Sequence, residues 1–125
     1  MYEKLKLKEC SNIIQNKNRA VLAVCNCNNP YQELVWYDTD CFCGCITLYF
    51  KICKCGEIAN IINDNEQASL LITNTCNNYV ETVLLEGTLD ILDDEVDCCC
   101  REKKTCYKKV RFNIDRVSGK RYCNR

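Results

Sequence analysis

Residues 46–65, Ile-Thr-Leu-Tyr-Phe-Lys-Ile-Cys-Lys-Cys-Gly-Glu-Ile-Ala-Asn-Ile-Ile-Asn-Asp-Asn, change hydrophobic period part-way along. The stretch begins as a β-branched and aromatic run suited to a pleated strand. It crosses a short Lys/Cys/Gly segment, after which Ile58, Ile61 and Ile62 fall on one helical face. Such a chain folds locally as strand, tight loop and helix. Gly56 stands just before the helix, and Lys51 and Lys54 add positive charge. A helix N-terminus offers unpaired N–H donors and a favourable dipole, so the loop suits a phosphate. It serves equally well as a plain connection between a strand and a packing helix.

The flanking sequence supplies more strands. Residues 8–18 carry Cys10, Ile13 and Ile14 at helical spacing and end in a polar Asn/Lys cluster, which predicts a short amphipathic helix. Residues 19–27 predict a first strand, followed by the turn signal Asn28-Asn29-Pro30. Residues 33–37 predict a second strand, 38–45 a polar hairpin loop, and 46–52 the third strand, an antiparallel meander. Beyond the helix at about 56–63, residues 67–73 and 79–92 predict the fourth and fifth strands. Gly87 lies inside the fifth, where a strand glycine marks a bulge or a barrel corner. Residues 93–109 are charged and read as a loop or short helix, while Val110, Phe112 and Ile114 alternate through a sixth strand at 110–116. Six strands with one inserted helix favour a closed antiparallel barrel, which leaves no free edge.

Composition narrows the partners. A chain of 125 residues builds one domain with one core. Lys+Arg and Asp+Glu are 17 each, so the formal charge is zero and no basic block marks a nucleic-acid surface. The apolar runs fall far short of the roughly 20 residues that span a bilayer, and the N-terminus is charged without an apolar core. No membrane contact is expected, and the chain reads as cytoplasmic.

With its elements in this order, the chain resembles the FMN-binding split-barrel family, the pyridoxamine 5'-phosphate oxidase-like proteins, and within it the small nitroimidazole-resistance-type flavoproteins. The carriers span nearly the whole chain: Arg19-Ala-Val-Leu-Ala23, Pro30-Tyr31, Val35-Trp-Tyr37, Leu48-Tyr-Phe50, Ile58-Ala-Asn-Ile-Ile-Asn-Asp-Asn65, Ala68-Ser-Leu-Leu-Ile72, Val83-Leu-Leu-Glu-Gly87 and Ile114-Asp-Arg-Val-Ser-Gly-Lys120. The resemblance implies a six-stranded antiparallel split β-barrel of Greek-key type, with an N-terminal helix and a helix between the third and fourth strands. It implies a homodimer with FMN in clefts between subunits, and an oxidoreductase passing electrons or hydride from NAD(P)H to a small-molecule substrate. Carried over residue by residue, the cofactor site comprises Trp36, Tyr37, Phe50, Lys51, Ile52, Lys54, Gly56 and Thr82. The chain departs from the family at the phosphate. Glu57 and Ile58 stand where a basic residue is usual, and Lys51 stands where a histidine is frequent.

Cysteine is over-used, at 14 residues. Cys25 and Cys27, then Cys41, Cys43 and Cys45, then Cys53 and Cys55 alternate, so each set shares a face in extended chain. That spacing admits a thiolate metal site, yet there is no Cys-x-x-Cys pair and no histidine. Cys98-Cys99-Cys100 and Cys106 lie beside Arg101, Lys103 and Lys104, whose charge lowers a thiol pKa. Without histidine the usual activation of a Ser or Cys nucleophile is missing, which disfavours a hydrolase. The alternatives to a flavoenzyme are a non-catalytic split-barrel ligand-binding protein that has lost flavin and a cysteine-rich metal or redox sensor.

Overall fold

The computed structural model describes residues 1–26, 28–54, 56–64, 66–97 and 105–123. Cys27, Cys55, Asn65, Cys98, Cys99, Cys100, Arg101, Lys103 and Lys104 lie outside the described residues, as does the side chain of Cys106. Among the described residues the elements run β1 (Tyr2–Lys4), α1 (Leu7–Asn16), β2 (Arg19–Asn26), β3 (Asn29–Phe42), β4 (Cys45–Cys53), α2 (Glu57–Ile61), β5 (Glu66–Thr75), β6 (Tyr79–Asp97) and β7 (Thr105–Cys123).

Strands β2, β3 and β4 form one antiparallel meander, and β5, β6 and β7 form a second. The α2 connection returns the chain so that β5 pairs with β2, a Greek-key order, and β4 pairs with β7 to close a six-stranded ring. Strand β7 divides its pairing: residues 107–113 lie against β4, and residues 120–122 lie against the short β1. This is the split barrel expected from the sequence, with β1 added at one end.

Alternation builds the core. Ala20, Leu22 and Val24 of β2, Leu48, Phe50 and Ile52 of β4, Leu70 and Ile72 of β5, Val83, Leu85 and Leu89 of β6, and Val110 and Phe112 of β7 all point inward and are buried. Each large apolar side chain so buried contributes about 1.5–3 kcal/mol of transfer free energy. Where two strands run past the barrel as a ribbon, both faces are exposed and the apolar signal disappears. Residues 38–45 therefore form the ends of β3 and β4 instead of a loop, joined through Cys43 (φ 51°) and Gly44 (φ 82°). Two consecutive left-handed residues match the twist of a two-residue hairpin. Strand β6 likewise continues to Asp97, and β7 begins at Thr105, inside the charged segment that the sequence reads as a loop or short helix.

The helices close the barrel ends. Cys10, Ile13 and Ile14 of α1 are buried, and the Tyr37 hydroxyl donates to the Ile14 carbonyl at 2.7 Å. Burial pushes the Tyr37 phenol up to about 12, so it stays a donor at neutral pH. Arg121 ties α1 to the barrel by donating to Glu9 at 2.9 Å and to the buried Glu81 at 2.7 Å; Asn74 satisfies the second Glu81 oxygen at 2.8 Å. At the other end α2 buries Ile58 and Ala59, and Lys108 donates to the Ala59 carbonyl at 2.6 Å, placing a cation in the last turn of the helix. Among the described residues no helix is long and apolar enough to cross a membrane.

Candidate functional site

The alternation that sends Tyr37, Phe50, Ile52 and Val110 inward sends Trp36 and Asp38 of β3, Tyr49 and Lys51 of β4, and Tyr107 and Lys109 of β7 to the outer face. Register then gathers them. Asp38 pairs with Tyr49, Tyr49 with Arg111, Lys51 with Lys109, and Cys53 with Tyr107. These side chains wall a cleft of about 340 Å³ with Phe50 at its floor. Trp36 remains 58% exposed, with the Arg19 guanidinium 5.3 Å from its ring centroid, a cation–π contact.

A polar ladder supports the β7 side. Asp90 of β6 accepts from Arg111 at 2.8 Å and from Asn113 at 2.7 Å. The Arg111 hydrogen bond, followed by that of Asn113, holds the Asp90 carboxyl below its ordinary range. Its contribution to stability is complete above the usual carboxylate pKa and is lost as pH falls through the lowered folded value. Arg111 Nε is buried without a hydrogen-bond partner, and the guanidinium is held by its ion pair with Asp90. Three aromatic side chains and two lysines in one recess have the chemistry to hold a planar aromatic ligand that carries negative charge.

The eight residues proposed from sequence separate. Trp36, Phe50 and Lys51 meet at the cleft. Phe50 borders the cleft but is 3% exposed, as is Tyr37, and Ile52 is 0% exposed, so the side chains of all three belong to the core. Strand alternation is the cause, because neighbours of an outward residue face inward. Lys54 and Gly56 lie in the loop after β4, and Thr82 of β6 pairs with Thr73 and Lys120 away from the cleft. Carboxylates flank this loop and oppose the charge of Lys54. Glu57 opens α2, and Glu33 Oε1 sits 3.0 Å from where a side chain at Gly56 would begin. Burial pushes the Glu33 carboxyl up. The helix behind the loop has five residues, shorter than the sequence suggests, and a correspondingly small dipole.

Asp38, Tyr49, Tyr107 and Lys109 escaped the sequence reading, although Tyr107, Lys109 and Arg111 form the outward phase of the strand whose inward phase, Val110 and Phe112, is conspicuous. Two other recesses, of about 430 and 390 Å³, lack this combination. The larger has no aromatic ring and includes Glu86 and Asp115, and the other is the seat of α1 around Arg121 and Glu81. Among the described residues the thiols do not converge. Cys41 pairs with Ile46 and Cys45 with Phe42, on opposite faces of the ribbon, and among the described residues no three potential metal ligands come together.

The same split-barrel topology occurs in solved structures described as FAD-binding proteins and as a putative pyridoxamine 5'-phosphate oxidase. Solved structures similar to the chain include an FAD-binding protein from Mycobacterium smegmatis at 12% identity and TM-score 0.74, covering 98% of this chain and 99% of that one. They include a FAD-binding protein from Mesorhizobium loti at 16% identity and TM-score 0.76, covering 97% and 98%. A third is General Stress Protein 26 from Bacillus anthracis, at 17% identity and TM-score 0.62, covering 90% and 92%. At these identities the likeness establishes the fold. No protein-family model and no curated protein sequence matches the chain.

Proposed function

We propose that the outer-face cleft binds a flavin, FMN in the first instance, and that the protein is a flavin-dependent oxidoreductase. The observation that carries this reading is the convergence of Trp36, Tyr49 and Tyr107 with Lys51 and Lys109 in one recess. Its support is that proteins of this fold from M. smegmatis and M. loti are described as FAD-binding. When bound, flavin supplies the redox chemistry, accepting hydride from NAD(P)H and reducing a small acceptor. The aromatic side chains provide the apolar walls that tune such a ring, and the lysines draw in its anionic group. Trp36 is the single tryptophan of the chain, so its fluorescence reports on the cleft. Titration with FMN is expected to quench it with saturation near one ligand per chain. Unchanged emission would remove the cleft as the site.

A second copy of the chain completes this reading. Leu34, Val21, Leu71 and Leu84 sit side by side across β3, β2, β5 and β6 on the outer face, with Leu34 and Leu71 exposed at 56% and 39%. The stripe is continuous with Trp36, two residues along β3 from Leu34, so a partner seated on it also borders the cleft. Leu71→Asp is expected to convert a dimer into a monomer in sedimentation and to weaken flavin binding with it. A monomeric parent protein would reject the arrangement.

A further inference from the structure

We propose that Tyr49 is the hydrogen-bond donor that the cleft offers to its ligand's ring, and that Arg111 and Asp90 are the residues that position it. The inference rests on the flavin reading and deepens it by naming the group of this chain that grips the ring. One cross-strand row on the outer face carries it. Asp38 of β3 pairs with Tyr49 of β4, Tyr49 with Arg111 of β7, and Arg111 with Asp90 of β6. Side chains directly opposed in such a row start about 5 Å apart, close enough to act on one another. Asp38 and the half-buried Tyr49 line the cleft, whereas Arg111 and Asp90 stand behind Tyr49.

The far end of the row is fixed. Arg111 donates to Asp90 at 2.8 Å, and Asn113 donates to the same carboxylate at 2.7 Å, so the guanidinium is held on the β6 side. After Asp90, Tyr49 helps to keep that guanidinium charged. A guanidinium offers donors and no acceptor, so a phenol beside it turns an oxygen lone pair toward it. The Tyr49 O–H then points away from Arg111, toward the cleft. A hydroxyl that faces a cation in this way is also a stronger donor, because linked hydrogen bonds polarise one another. Tyr107, the other phenol of the cleft, pairs with Cys53 and Glu95, and no cation on that row orients its hydroxyl. Asp38 is exposed, so water serves its carboxylate and leaves the Tyr49 phenol to a ligand. These residues define the ligand class as an aromatic ring with a hydrogen-bond acceptor, such as a carbonyl, at its edge. The ring that FMN and riboflavin share meets that description.

The test measures FMN and riboflavin binding by Trp36 fluorescence, together with the reduction potential of the bound FMN, in the parent, in Tyr49→Phe, in Arg111→Met and in the double variant. Tyr49→Phe removes one oxygen and keeps the ring, and a hydrogen bond of this kind corresponds to about tenfold in affinity. Tyr49→Phe is therefore expected to bind both flavins about tenfold more weakly, with equal losses because the ring is common to them. It is also expected to lower the potential of bound FMN, since a donor to the ring favours its electron-rich reduced form. Arg111→Met is expected to shift the potential in the same direction, and the double variant to go no further than Tyr49→Phe alone. If Arg111→Met does not fold, Arg111→Gln replaces it with the same expectation. Unchanged affinity and potential in Tyr49→Phe overturn the donor. The parent's potential in the Arg111 variant, or effects that add in full, overturn the positioning. Should the parent bind neither flavin, the flavin reading falls, and acetophenone, an uncharged aromatic ketone, decides the donor separately. Binding by the parent that weakens in Tyr49→Phe sustains it, and no binding, or equal binding in both, overturns it.

Discussion

Gly87→Ala is expected to cost about 3 kcal/mol or more of folding free energy, a severe loss for a domain of this size. A β-carbon at position 87 lies 2.0 Å from the Asn113 carbonyl oxygen, 2.9 Å from its carbon and 3.1 Å from Phe112 Cζ. Two of these atoms are backbone in the paired strand, so no rotamer change relieves the clash. The register shows why the chains approach so closely. Glu86 pairs with Arg116 but Gly87 with Ile114, a bulge that bends β6 and β7 together. Making room requires β7 to withdraw, which breaks the ladder just beside the Asn113–Asp90 contact. Urea unfolding followed by circular dichroism measures the effect; a loss below about 1 kcal/mol would show that the bulge yields readily.

Phe112→Ala is expected to cost about 3–5 kcal/mol. Phe112 is fully buried and is paired with Leu48 of β4 on one side and Leu89 of β6 on the other. Removing its ring opens a cavity at the seam that holds β4 to β7. The same seam presents Lys51 and Lys109 on its outer face, so flavin affinity is expected to fall along with stability. Phe112→Leu fills much of the space and is expected to retain most of both. The Gly87 and Phe112 effects will not add, because the two positions touch. A Phe112→Ala protein as stable as the parent would contradict the packing described.

Much of the fold was legible in the sequence because its barrel strands are half buried. The alternation of Val110 and Phe112, the helical spacing of Cys10, Ile13 and Ile14, and the solitary Gly87 each record a local constraint that the fold keeps. The ribbon ends of β3 and β4 were hidden because nothing buries them, and polar residues such as Asp38 and Asp40 read as loop. β1 was hidden because it is three residues long. Half of the cleft was hidden for another reason. Lys109 and Tyr107 become neighbours of Lys51 only through barrel closure, a contact between strands distant in the chain. Tyr37 and Ile52 show the converse: a resemblance places a strand at a site, and alternation then decides which of its side chains reach it.

The absorption spectrum of the protein after incubation with FMN and gel filtration tests the central claim most directly. Oxidised-flavin bands eluting with the protein, near one flavin per chain and with Trp36 emission quenched, are the predicted result. Colourless protein with undiminished Trp36 emission would contradict the assignment of the cleft as a flavin site.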